Sequence, residues 1–258
     1  MQIDKQDLLN NLKPYSTSYA CFSKYIEWIC DHVADGTETY DLINILARND
    51  AKRLKDLEGR LNLSCGILNV NLYDFIKMFG FTDDLLANDI EKIHDLLAEP
   101  LFVIDLDKQG FKPIEKMPSK IKVGGDVQTA ADFIATRNSV RYAIEFKTIR
   151  TETGIEDGVP FGNSNKSNWW GEMFFNNAVM KIEDKSRRAI SQLENTKAHY
   201  HCDVKMLVLH SRRLGPSTLL SDAELLSELQ KLSLRYPEID YFCGKLYYGE
   251  IAFFPELP

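Results

Sequence analysis

Long apolar runs are missing from this chain of 258 residues. No stretch approaches the roughly 18 consecutive apolar residues that mark a membrane-spanning helix, so no membrane association is expected. The first fifteen residues, Met1 to Tyr15, are polar with two Asp against two Lys, without the basic region and apolar core of a secretory signal. A cytoplasmic location is the expectation. Cysteine is sparse, with five residues (Cys21, Cys30, Cys65, Cys202 and Cys243) scattered and odd in number. None stands in a Cys-x-x-Cys pair, which argues against a zinc knuckle and against a disulfide framework, and small buried apolar roles are expected instead. His199, His201 and Cys202 lie close together, but at the end of a predicted helix and without a matching second half. Positive charge is also in deficit. A formal net charge of −7 argues against an indiscriminate nucleic-acid binder. Neither a Gly-x-Ser-x-Gly nor a Cys/His nucleophile pattern is present, and there is no internal repeat, low-complexity tract or helix-turn-helix signature.

What is present is an ordinary globular composition, 44% hydrophobic and 27% charged. The charge is unevenly spread. Residues 1–100 carry ten Lys/Arg against seventeen Asp/Glu, whereas residues 180–213 carry eight against four and form the single net basic block. The first hundred residues read as helical, with apolar residues at helical spacing over 19–33 and 39–61 and a further helix over about 83–98, ended by Pro100. Arg48, Lys52, Arg53, Lys55 and Arg60 give the second of these a basic side, either a solvated face or a phosphate contact. Strands are expected from Leu101 to Ile104, over 131–136 and 142–147, and over 204–210. Residues 150–170 read as a loop whose Trp169 and Trp170 either stack on bases or anchor it to the core. Helices are expected over about 179–200 and 219–234, followed by short aromatic strands from Ile239 to Phe254.

The richest segment runs from Ala131 to Lys147. Strand alternation puts Asp132, Ile134 and Thr136 on one face, and Ala143, Glu145 and Lys147 on one face of the following run. A tight turn centred on Asn138 and Ser139 joins them, since Asn tolerates positive φ. That register pairs residue 137 with 140, and continued along the ladder it sets Asp132 opposite Glu145. Two opposed carboxylates repel each other unless a cation lies between them, and oxygen-only ligation suits Mg²⁺ or Mn²⁺. Lys147 beside them can polarise a water or offset developing negative charge. These are the parts of metal-assisted phosphodiester hydrolysis. Without a cation, the same residues make an amphipathic hairpin with a salt-bridge ladder.

An Asp, twelve residues, then Glu-x-Lys in a hairpin ending Ile-Glu-Phe-Lys-Thr resembles the core of the PD-(D/E)xK nuclease superfamily, with Ala131 in place of the name's Pro. The resemblance implies an α/β restriction-endonuclease-like fold: a mixed sheet core flanked by helices over residues 81–258, with a helical N-terminal region over 1–80. It implies that Asp132, Glu145 and the carbonyl of Phe146 bind Mg²⁺ or Mn²⁺ and that Lys147 acts on the attacking water. It also implies a basic or Gln-bearing helix beside the metal, which here means Gln192 in the site and Lys181, Lys185 and Arg188 toward substrate. A Glu from the first core helix sometimes completes such sites, and Glu91 is the candidate. The expected activity is a metal-dependent nuclease acting on nucleic acid, DNA ahead of RNA, in DNA processing or antiviral defence. Relatives often work as homodimers. The alternative is an inactive module on the same fold, its helical N-terminal region docking a protein partner.

Overall fold

A computed structural model describes residues 51–79, 90–149, 167–211, 222–245 and 251–257. The predicted helix over 19–33, the first part of that over 39–61, and most of the 150–170 loop lie outside the described residues. The chain divides into two compact units, 1–110 and 111–258.

In the first unit, α1 (Ala51–Ile67), α2 (Leu72–Met78) and α3 (Ile90–Lys108) are helical. Asn71 caps α2, its side-chain oxygen accepting the Asp74 N–H at 2.9 Å. Leu61 and Ser64 of α1 are buried, and the Ser64 hydroxyl donates to the Pro100 carbonyl of α3 at 2.6 Å. Lys52, Lys55 and Arg60 are exposed, as in a solvated face. Two expectations need correction here. Pro100 does not end the helix, and Leu101–Ile104 is not a strand: α3 continues through both to Lys108. A short apolar run does not by itself distinguish strand from helix. The buried positions Phe102, Val103 and Leu106 follow the helical step, and packing of α3 on α1 outweighs the backbone donor that proline lacks. Helix α3, expected to open the nuclease-like region, falls within the first unit.

The second unit is mixed α/β. A six-stranded sheet has the order β1-β4-β5-β6-β7-β8. Its strands are β1 (Ile114–Lys116), β4 (Phe133–Arg137), β5 (Val140–Ile149), β6 (Val204–Ser211), β7 (Tyr241–Lys245) and β8 (Ile251–Phe254). Strands β2 (Lys120–Val123) and β3 (Asp126–Thr129) form a separate two-stranded ribbon between β1 and β4. β1, β4 and β5 are antiparallel neighbours, β5, β6 and β7 are parallel, and β8 returns antiparallel. The parallel pairs require crossovers, supplied by α4 (Ser167–Tyr200) and α5 (Asp222–Arg235).

Alternation along the strands explains the packing. Ile134, Ala143, Leu207, Leu209 and Phe242 share a buried cluster with Ile182, Ala189 and Leu193 of α4 and Leu229 and Leu232 of α5. Both helices therefore cover one face. On the other face Phe133, Tyr142, Ile144, Met206 and Val208 are also buried, as expected for central strands shielded on both sides. The α4 helix begins at Ser167, twelve residues before its expected start, so Trp169 and Trp170 are helical rather than in a loop. The helix runs through Gly171, whose cost in a helix interior is only about 1 kcal/mol.

Candidate active site

The hairpin forms in the expected register. Phe133 faces Ile144 and Arg137 faces Val140 across β4 and β5. Asn138 and Ser139 have φ of 50° and 64°, the paired positive values of a two-residue turn whose twist matches the strands. Continued by one step, this register sets Asp132 opposite Glu145, but the ladder stops at Phe133. There the Asp132 carboxylate takes over a strand's role, its Oδ2 accepting the Phe146 N–H at 2.9 Å. The N–H and C=O of one strand residue point the same way, so the Phe146 carbonyl also faces the side where β4 has ended.

Three side chains of α4 hold the approach to Asp132. Thr196 Oγ1 accepts the Ala131 N–H at 2.7 Å, Gln192 Nε2 donates to the Ala130 carbonyl at 3.2 Å, and Asn195 Nδ2 donates to the Thr129 carbonyl at 3.1 Å. From the other side, the Met117 N–H donates to the Asp132 carbonyl at 2.8 Å. The aspartate is thus fixed between a helix and an edge strand.

Glu145 is 1% exposed. It shares the α4-facing side of β5 with Lys147, whose Nζ donates both to Glu145 Oε1 and, at 3.1 Å, to Gln192 Oε1. Gln192 therefore spans the site, bound to the lysine at one end of its amide and to the Ala130 carbonyl at the other. Lys116 of β1 donates to Asp132 Oδ1 at 3.0 Å and lies 4.8 Å from the centre of the Phe133 ring. Two carboxylates and two ammonium groups are thereby gathered at one end of the β4–β5 pair. One atom is left out of this pairing: Glu145 Oε2 is buried and has no hydrogen-bond partner. An unsatisfied buried carboxylate oxygen costs free energy, and a bound cation would relieve that cost.

The electrostatics follow from burial. Loss of water around Glu145, reinforced by the neighbouring Asp132 charge, pushes its carboxyl up to about 8, outweighing the opposing pull of Lys147 and Lys116. At neutral pH this carboxyl mostly holds its proton. Phe146 is stacked on His210, ring centres 5.7 Å apart, which steadies the backbone between Glu145 and Lys147.

The chain matches no protein-family model, no curated protein and no solved structure.

Of the predicted residues, Asp132, Glu145, Lys147 and Gln192 converge, together with the Phe146 backbone. Helical periodicity places Lys181, Lys185 and Arg188 on the Gln192 flank of α4, but the described contacts do not bring them into the cluster. Arg188 is largely exposed and pairs with Asp184 at 3.0 Å, Lys185 is half-buried, and the Lys181 side chain lies outside the description. The Glu91 side chain is likewise outside it. His199 and His201 are exposed and Cys202 is buried, and among the described residues no three His, Cys, Asp or Glu side chains converge as a metal-binding group. Sequence reasoning missed Lys116 and Thr196. Lys116 belongs to a strand of three residues, too short for a periodic signal. Thr196 lies on the buried stripe of α4 in step with Ile182, Ala189 and Leu193, where its polarity could have marked it.

Proposed function

We propose that this chain is a metal-dependent nuclease that hydrolyses phosphodiester bonds, with DNA as its substrate. The observation that carries the reading is the buried, unpartnered Oε2 of Glu145, set beside Asp132 at the point where β4 gives way to a side chain. The sheet order supports it as well: an antiparallel β1-β4-β5 set followed by a crossover through α4 to parallel β6 agrees with a restriction-endonuclease-like core.

Asp132, Glu145 and the Phe146 carbonyl would hold Mg²⁺ or Mn²⁺. All three are oxygen donors, the class these hard cations select, and water and substrate oxygens would complete the shell. When bound, the ion supplies Lewis-acid polarisation of a phosphate oxygen and a lowered pKa for bound water. The chain's own residues do the rest. Gln192 fixes Lys147, so its ammonium is oriented before substrate arrives. From there it positions the attacking water and stabilises charge growing on the phosphate oxygens. Thr196, Gln192 and Asn195 hold the 129–132 backbone and limit movement of Asp132. The basic block of 180–213 would lie along the substrate, in DNA processing or defence, and helices α1 to α3 of the first unit would offer a surface to a protein partner.

One observation favours the inactive module: Lys116 and Lys147 already stand against the two carboxylates, so the cluster can exist as a structural charge network. Incubating the purified protein and its Glu145→Gln variant with linear DNA, plasmid and tRNA, with and without Mn²⁺, separates the readings. Mn²⁺-dependent cleavage by the wild type, absent from the variant, is expected. No cleavage of any polymer by the wild type would favour the module.

A further inference from the structure

The β2–β3 ribbon has no place in the six-stranded sheet, yet both of its legs are rooted at the site. One leg leaves Lys116, which holds Asp132, and the other returns through Ala130 and Ala131 to Asp132 itself. The base is closed by the Ala130 N–H donating to the Ser119 carbonyl at 3.2 Å, and the returning leg is held to α4 by Asn195 and Gln192. The tip is a Gly124-Gly125 turn with φ of 60° and 99°, which only glycine adopts readily and which leaves the tip without side chains.

The register divides the ribbon into unlike faces. Lys120 faces Thr129 and Lys122 faces Val127, and all four side chains are exposed, Val127 by 62%. Ile121, which is buried, lies on the opposite face with Val123, Gln128 and Asp126. The outer face therefore has two cations and no anion, and neither lysine makes an ion pair among the described residues.

We infer that this outer face is a docking surface for duplex DNA, entering the major groove next to the bond to be cut. The inference rests on the nuclease reading above and extends it to how substrate is held. Charge and dimensions both fit. Each strand has four residues, about 13 Å of extended chain. The B-form major groove is about 12 Å wide and 8.5 Å deep and admits a two-stranded ribbon, whereas the A-form major groove of RNA is too narrow for side chains to read. Lys122 and Val127 lie within about five extended residues of Asp132, or about 17 Å, the rise of about five base pairs. Lys120 and Lys122 would meet phosphates, and Val127 would meet base edges such as the thymine methyl.

The test is binding of the full chain to a fluorescent duplex of about 25 base pairs, without divalent metal so that nothing is cut, over a series of salt concentrations. In Lys120→Ala/Lys122→Ala, two lost phosphate contacts should lower the slope of log affinity against log salt by about 1.8 and weaken binding about 60-fold at 0.1 M salt. Val127→Asp should weaken duplex binding more than single-strand binding, a difference that general misfolding would not produce. Unchanged affinity and slope in the lysine variant overturn the inference but leave the nuclease reading standing. Wild type that prefers single strands or duplex RNA, or binds no duplex, also overturns it. Lysine-dependent duplex binding without any Mn²⁺-dependent cleavage would retain the ribbon and reject the nuclease.

Discussion

Glu145→Gln should turn a pH-dependent weakness of the fold into a pH-independent contact. The side chain is 1% exposed and its carboxyl is raised from 4.5 to about 8, by burial first and by Asp132 second. For an acid raised in the folded state, the native protein binds more protons than the unfolded chain between the two values. Stability therefore falls as pH rises from about 4.5 to about 8 and levels off above. Each pH unit inside that window is worth about 1.4 kcal/mol. Between pH 5 and pH 8 the wild type should lose about 3 to 4 kcal/mol through this residue. Glutamine matches the protonated carboxyl in shape and has no charge to desolvate, so the variant should not show this loss. Urea unfolding of both proteins at pH 5, 6.5 and 8 measures it. The variant's advantage should grow steadily across the series, and saturating Mn²⁺ should reduce it by stabilising the wild-type carboxylate. An advantage that stays the same from pH 5 to pH 8 would refute the assignment of Glu145 as a buried, strained acid.

Lys147→Met should abolish cleavage, and it should also cost about 1–3 kcal/mol in urea unfolding, because the buried Glu145 and the Gln192 beside it lose a partly buried donor. Thr196→Val keeps the shape but leaves the Ala131 N–H without its acceptor, at a cost of about 1–3 kcal/mol. It should also reduce cleavage by loosening Asp132, and wild-type stability in the variant would contradict that role. Ser139→Gly relieves a positive φ in the turn and should stabilise by about 0.5–1 kcal/mol with cleavage unchanged, read by thermal melting.

The site was more legible than the fold around it, for reasons of range. Asp132, Glu145 and Lys147 lie in one hairpin, where period-two alternation and turn chemistry fix the register locally, and the observed pairing of Arg137 with Val140 follows. Gln192 was legible because its helix has a plain 3.6-residue period. Lys116 was not, since its contact with Asp132 depends on an edge strand of three residues with no pattern of its own. The Asp132 bond to the Phe146 amide was also hidden, because alternation predicts which face a side chain takes and not that it will turn to end a ladder. The segment around Pro100 misled for a different reason. Its local signals favour a stop and a strand, and contacts with α1 decide otherwise. The Gly-Gly tip of the β2–β3 ribbon is a hairpin signal of its own in the sequence ahead of Ala131.

Isothermal titration of the wild type with Mn²⁺ at pH 7, repeated in buffers of different ionisation enthalpy, tests the central claim most directly. If Glu145 is the buried ligand described here, its carboxyl near 8 is mostly protonated at that pH, and binding should release close to one proton per ion. Both the heat and the proton release should disappear in Glu145→Gln, and affinity should fall sharply in Asp132→Asn. Absence of binding by the wild type, or binding that survives in Glu145→Gln with the same proton release, would contradict it.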